Sequence, residues 1–183
     1  MQFVAEWSAN QGRHLIYIHS QVLNVFLRHI QAEPTDMEGG GLLLGYVRGS
    51  HLEIVDATEP TKFDRRFRTF FERMREVHEH IAQKQWCDSN GLVRYVGEWH
   101  THPQDHPSPS DTDLTEWRKL AVKRNDKRPV LGLIVGRKTL YLESIFRDGK
   151  RTEFFPADGR SRDAEFGIFL IGISVNGRLE QYA

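Results

Sequence analysis

The run Leu42-Leu43-Leu44, approached through Gly39-Gly40-Gly41 and left through Gly45, constrains the fold more than any other stretch. A strand whose successive residues are all apolar has no side to give to water, so both of its faces must be covered. That requirement calls for helices layered against a central sheet. The rest of the chain supplies such layers. "HLIYIHS" (residues 14–20) reads as a strand ending at Ser20, a plausible helix N-cap. Val22, Leu23, Phe26, Leu27 and Ile30 then follow at helical spacing. "HLEIVDATEP" reads as a strand reached through a Gly-Ser turn. Residues 69–86 carry a helical stripe of Phe70, Met74, Val77 and Ile81, and residues 111–124 form another helix. "LVRYVGEWHTHP" is a strand that Pro103 must end, since proline offers the ladder no donor. "PVLGLIVG", "TLYLESIF", "RTEFFPA" and "FGIFLIGISV" are further strands. The expectation is one α/β domain over residues 1–183, with a mixed central β-sheet flanked by about three helices.

Composition narrows the function classes. Lysines and arginines balance aspartates and glutamates, 25 against 25, so no global field draws the chain to nucleic acid or a membrane surface. The single cysteine, Cys87, excludes an internal disulfide and every cysteine-rich zinc site, and fits a reducing compartment. The N-terminus lacks a charged region followed by an apolar run, so no signal peptide is expected. The longest apolar run, residues 166–175, has about half of the roughly 20 residues a bilayer span requires. A soluble, cytoplasmic protein is the expectation.

Two His-x-His pairs then invite different readings. His100 and His102 lie on a strand, where alternate side chains share a face, so both imidazoles can reach one metal ion. His78 and His80 have the same spacing on an expected helix. There residues two apart diverge by about 200°, so they are read as solvated helix-face residues. Beyond the strand, a proline-rich loop leads to "SDTD", residues 110–113. Ser-x-x-Asp is an ordinary helix N-cap pattern, in which Ser110 satisfies backbone donors and Asp113 complements the helix dipole. The same acid, folded back over the imidazoles, makes two nitrogen ligands and one oxygen ligand. That set suits Zn²⁺ with a fourth position open, the mark of a catalytic site. Hydrolysis also needs a proton acceptor. Glu98 alternates onto the face of His100 and His102, while Glu38 stands at the mouth of the glycine run, and position does not choose between them.

Taken together, "E-GGGLLLG" and "H-T-H-P-(six residues)-S-D-T-D" resemble the JAMM, or MPN/Mov34-type, metalloprotease family, across roughly residues 20–156. The resemblance implies a cytidine-deaminase-like α/β fold and one catalytic zinc on His100, His102 and Asp113. It also implies Glu38 as general base and Ser110 as support for the tetrahedral oxyanion. The family carries a bulky residue two positions before the first histidine, where this chain has Glu98. More narrowly, "GEWHTHP…PSPSDTD" is similar to the stand-alone bacterial JAMM isopeptidases of CBASS antiphage operons. These release an enzyme, a nucleotidyltransferase, whose C-terminus an E1/E2-like partner has conjugated to a target. The implied substrate is therefore a protein presented through its extended C-terminal tail.

Other residues have plainer readings. Asp111 could replace Asp113 as ligand, but it departs from the family spacing. Asp105 and His106 are read as solvated or loop-stabilising, Trp99 as core on the face opposite the metal, and Cys87 as inert. The basic, aromatic stretch 62–75 is an amphipathic approach to a helix or a docking surface for a protein tail. Rival functions are a deconjugase of a ubiquitin-like protein and a non-catalytic MPN-type scaffold. A zinc nucleobase deaminase is excluded, because its Pro-Cys-x-x-Cys signature needs cysteines this chain lacks.

Overall fold

The computed structural model describes residues 5–157; the expected strand in "FGIFLIGISV" lies outside them. The order along the chain is β1 (Glu6–Ala9), β2 (His14–Ile18), α1 (Ser20–Arg28), β3 (Gly40–Arg48) and β4 (His51–Ala57). Then come β5 (Arg65–Phe67), β6 (Phe70–Glu72), α2 (Arg75–Asp88), β7 (Arg94–Thr101) and α3 (Asp111–Lys123). The series ends with β8 (Val130–Val135), β9 (Leu140–Ile145) and β10 (Arg151–Pro156).

The sheet closes on itself. The strand order is β1-β10-β9-β8-β7-β3-β4-β2, an eight-stranded barrel, with β5 and β6 forming a separate two-stranded ribbon. The expected mixed sheet and its three helices are present, but the sheet is closed rather than merely flanked. The missing piece was β1: "EWSA" is too short to declare itself, yet it pairs with both β2 and β10 and so joins the two ends. Of the three helices, α1 packs on one set of strand faces, and α2 and α3 cover the opposite ones.

Apolar residues from all eight barrel strands join one cluster, which includes Trp7, Ile18, Leu43, Trp99, Leu133 and Phe154. The α1 residues Val22, Leu23, Val25 and Phe26 belong to the same cluster. Residues on the opposite strand faces are covered separately. Trp117 and Ala121 of α3 pack on Val130, Ile134 and Tyr141, while Ala82 of α2 packs beside Leu42 and Leu44. The Leu42–Leu44 run is thus buried on both faces, as its pattern required. Truncating a residue such as Leu43, which is fully buried, should cost about 2–5 kcal/mol.

Two local expectations fail. His19, not Ser20, occupies the N-cap of α1 and makes no side-chain cap bond. The helix expected over residues 69–86 begins only at Arg75, because residues 70–72 pair with β5 as a strand. Phe70 and Met74 are exposed accordingly. Their apparent helical spacing with Val77 and Ile81 is a coincidence of two elements in series. The basic stretch 62–75 is a loop and a hairpin that run into the start of α2, not part of an amphipathic helix.

Candidate metal centre

Strands β7 and β8 are parallel, so the chain must return along the barrel between them, and α3 is that return. A returning helix begins where β7 ends. Its first turn therefore stands over the last outward residues of β7, which are His100 and, one step beyond the strand, His102. The histidine Nε2 atoms lie 3.1 Å apart. Two nitrogens about 2.0–2.1 Å from one tetrahedral zinc must be separated by roughly 3.3 Å, so the pair fits that ion. Asp113 closes the triangle, with Oδ1 3.2 Å from His100 Nε2 and Oδ2 3.5 Å from His102 Nε2. These three residues are the group of possible metal ligands among the described residues, with their atoms all within 4.8 Å of one another. Asp111 is exposed and takes no part.

The acid is held in place by the helix cap. Ser110 and Asp113 form a reciprocal capping box. The Ser110 backbone N–H and hydroxyl both donate to Asp113 Oδ2 at 2.7 Å, and Asp113 N–H donates to Ser110 Oγ at 3.2 Å. Cap and ligand geometry are one arrangement: the bonds that start α3 also aim the carboxylate. Burial works to raise the Asp113 carboxyl, but the bonds from His100 and His102 outweigh it and hold the group well below the usual carboxylate range. At His102 burial favours the neutral form, yet the Asp113 carboxylate more than offsets that and raises the imidazole. The ring is oriented further by Gln104, whose Oε1 lies 3.3 Å from His102 Nδ1 and accepts the Ser108 N–H. Asp105 fixes the loop by pairing with Arg137 at 2.7 Å and Lys138 at 3.2 Å.

Glu38 reaches this centre from the next strand. Gly40 is paired with His100 across β3 and β7, which brings Glu38, two residues before β3, to the same end of the barrel. The glycines are steric necessities. A Cβ on Gly40 would stand 2.6 Å from the Phe71 ring and 2.7 Å from the Trp99 carbonyl oxygen, and one on Gly41 would collide with the Thr58 carbonyl. Glu38 is 8% exposed, and burial pushes its carboxyl up to about 6, partly opposed by the nearby His100 and His102. Such a group is poised to exchange protons near neutrality. Glu98 does lie two residues before His100 on the same face, but Arg73 claims it in a 2.7 Å ion pair.

Several positioning residues escaped sequence reading. Thr101 faces inward between the histidines. Its hydroxyl accepts the Gly39 N–H at 2.9 Å and donates to buried Gln31 at 3.0 Å. Gln31 donates in turn to the carbonyl of Arg68 at 2.7 Å. The β5–β6 ribbon clamps Glu38 itself: its N–H donates to the Phe67 carbonyl at 2.8 Å, and its carbonyl accepts Arg66 Nε at 2.8 Å. No spacing rule links residues so far apart. Trp99, by contrast, lies in the core as alternation implied, at 1% exposure. His78 was expected in solvent and is instead fully buried, whereas His80 is exposed.

Comparison with known proteins gives a family and a fold. A profile of "Prokaryotic homologs of the JAB domain" matches residues 19–148. A Pseudomonas aeruginosa protein called a CD-NTase/cGAS isopeptidase is 48% identical over 158 residues, 86% of this chain and 100% of its own. An Escherichia coli protein of the same description is 39% identical, over 69% of this chain and 80% of its own. A solution structure of a Desulfitobacterium hafniense protein covers 75% of this chain and 88% of its own, with a TM-score of 0.54 and 22% identity, a likeness of fold. With that profile matching residues 19–148, well over half of the sequence, the chain belongs to the prokaryotic JAB-domain family.

Proposed function

We propose that this protein is a zinc-dependent isopeptidase, a metalloprotease that cleaves after the extended C-terminal tail of a conjugated protein. The conjugate is a nucleotidyltransferase attached by an E1/E2-like partner, and the setting is antiphage defence in the bacterial cytoplasm. We read residues 1–183 as one domain carrying that activity. The observation that carries the reading is the His100, His102 and Asp113 triangle beside a buried glutamate. The names of the Pseudomonas and Escherichia relatives support the substrate class. Among the described residues no helix is long and apolar enough to cross a membrane.

His100, His102 and Asp113 would hold the ion, and Glu38 and Ser110 would act beside it. When bound, zinc supplies Lewis acidity that polarises a carbonyl and acidifies water. Glu38 takes a proton from the attacking water as its oxygen bonds to the scissile carbonyl carbon. It returns that proton to the departing amine as the carbon–nitrogen bond breaks. Ser110 donates to the developing oxyanion, for which its hydroxyl must turn from the Asp113 carboxylate. The barrel has no open edge, so the tail adds to the ribbon, where β6 pairs only with β5 among the described residues. Exposed Phe67 and Phe70, with Arg65 beside them, offer apolar and cationic contacts to such a strand.

The test is release of free nucleotidyltransferase from a purified conjugate joined through its C-terminus. Zinc-loaded protein should release it, chelation should stop release, and added zinc should restore it. A conjugate left intact by zinc-loaded protein sinks the reading.

A further inference from the structure

Three polar side chains outside the metal centre are buried in one chain of hydrogen bonds. His78 Nδ1 lies 2.6 Å from Thr58 Oγ1, and His78 Nε2 lies 3.2 Å from Asp64 Oδ2. His78 and the Asp64 side chain are 0% exposed and Thr58 is 3% exposed. Burying three such groups is costly unless each is paired, and here each is. The donors can be assigned. The ionised Asp64 carboxylate can only accept, so His78, held neutral by burial, carries its proton on Nε2 and donates it there. Nδ1 then accepts the Thr58 hydroxyl proton, while Thr58 Oγ1 accepts the Leu42 N–H at 2.8 Å.

The two ends of this chain stand at mechanically distinct places. Asp64 accepts backbone N–H groups from Thr61 and Met74, one on each side of the β5–β6 ribbon, and so ties its two roots together. Thr58 bonds both backbone groups of Leu42 and accepts the Trp99 indole N–H at 3.0 Å. Those residues lie on β3 and β7, beside the Gly40 and His100 pair. The far side of the ribbon holds the backbone of Glu38 through Phe67 and Arg66.

We infer that Asp64, His78 and Thr58 are positioning residues, a buried relay that fixes the ribbon against β3 and thereby sets where Glu38 stands relative to His100 and His102. This rests on the isopeptidase reading only for its catalytic consequence. The relay touches neither substrate nor ligand, so its loss leaves the metal triangle intact. His78→Phe fills the space but takes one donor from the buried Asp64 carboxylate and leaves the Thr58 hydroxyl proton without its acceptor, and should loosen the ribbon.

The experiment measures amide exchange, zinc content and single-turnover cleavage in His78→Phe, Thr58→Val and Thr58→Ser. In His78→Phe and Thr58→Val, amides of Glu38 and residues 65–72 should exchange faster, while those of β8 and β9 stay protected and zinc stays bound. Cleavage should slow by about 10–100-fold, since a misplacement near 1 Å costs rate on that scale. Thr58→Ser keeps the hydroxyl and should restore both exchange and rate. Unchanged exchange at Glu38 and the ribbon overturns the inference, as does Thr58→Ser behaving like Thr58→Val. Exchange that rises equally in β8 and β9 overturns it too, since the relay would then serve only general stability. If exchange responds as stated but wild-type protein cleaves nothing, the positioning role stands and the isopeptidase reading falls.

Discussion

Two His-x-His pairs, identical in spacing, meet opposite fates in this molecule. On β7 the pair runs out along one face and brings two nitrogens within 3.1 Å. On α2 the same spacing turns one ring inward, to 0% exposure, and leaves the other in solvent. A strand repeats every two residues and a helix every 3.6, so one backbone brings the two rings together and the other splits them. The helical pair is not idle, however. Its buried member completes a relay to Thr58 and Asp64. Spacing decides whether two histidines meet; packing decides what each one does.

The comparison is broken most directly by removing one ring from each pair. His100→Ala should lose bound zinc and all cleavage, and Asp113→Ala likewise, whereas His80→Ala should change neither. Elemental analysis on the purified variants checks this, and full zinc occupancy in both His100→Ala and Asp113→Ala would falsify the ligand set. Next in size is the proton carrier. Glu38→Gln should keep zinc and lose about 10²–10⁴-fold in rate, the usual contribution of general acid–base catalysis. Glu98→Gln, already engaged by Arg73, should keep most activity. Side-by-side digestion decides it: an inert Glu98→Gln beside an active Glu38→Gln overturns the assignment.

Ser110 sharpens the contrast between capping and chemistry, because its hydroxyl accepts the Asp113 N–H of the cap and also donates to the Asp113 carboxylate. If it also supports the oxyanion, Ser110→Ala should lower kcat by about 10²–10³. Loss of the cap alone should cost about 0.5–2 kcal/mol of stability. Melting curves paired with single-turnover rates separate the two; a stability loss without a rate loss removes the catalytic role.

The smallest expected effect concerns pH in chelated protein. Burial raises the Glu38 carboxyl from 4.5 to about 6, so folding favours its protonated form. Its stabilising contribution is complete below about 4.5 and is lost as pH rises through about 6. A rise of that size corresponds to about 2 kcal/mol. Glu38→Gln should therefore flatten the fall in stability across that window, as read by denaturant unfolding at several pH values. An unchanged slope would mean that the carboxyl is not held in a desolvated place.

What the sequence determined by itself was local. The apolar Leu42–Leu44 run required cover on both faces, and the fold provides it, with Leu43 in one apolar cluster and Leu42 and Leu44 in another. Strand alternation put His100 and His102 together and Trp99 behind them, and Ser110-x-x-Asp113 marked the start of α3. Residue chemistry could not choose between Glu38 and Glu98; the family resemblance favoured the former. The tertiary structure adds that Glu98 is paired with Arg73 and that Gly40, two residues after Glu38, is paired with His100, which supports that choice. It alone decided the closure of the barrel through β1, the ribbon over Glu38, and the burial of His78. Each of these depends on partners tens of residues away, and periodicity within one segment carries no information about which distant segment will pair with it.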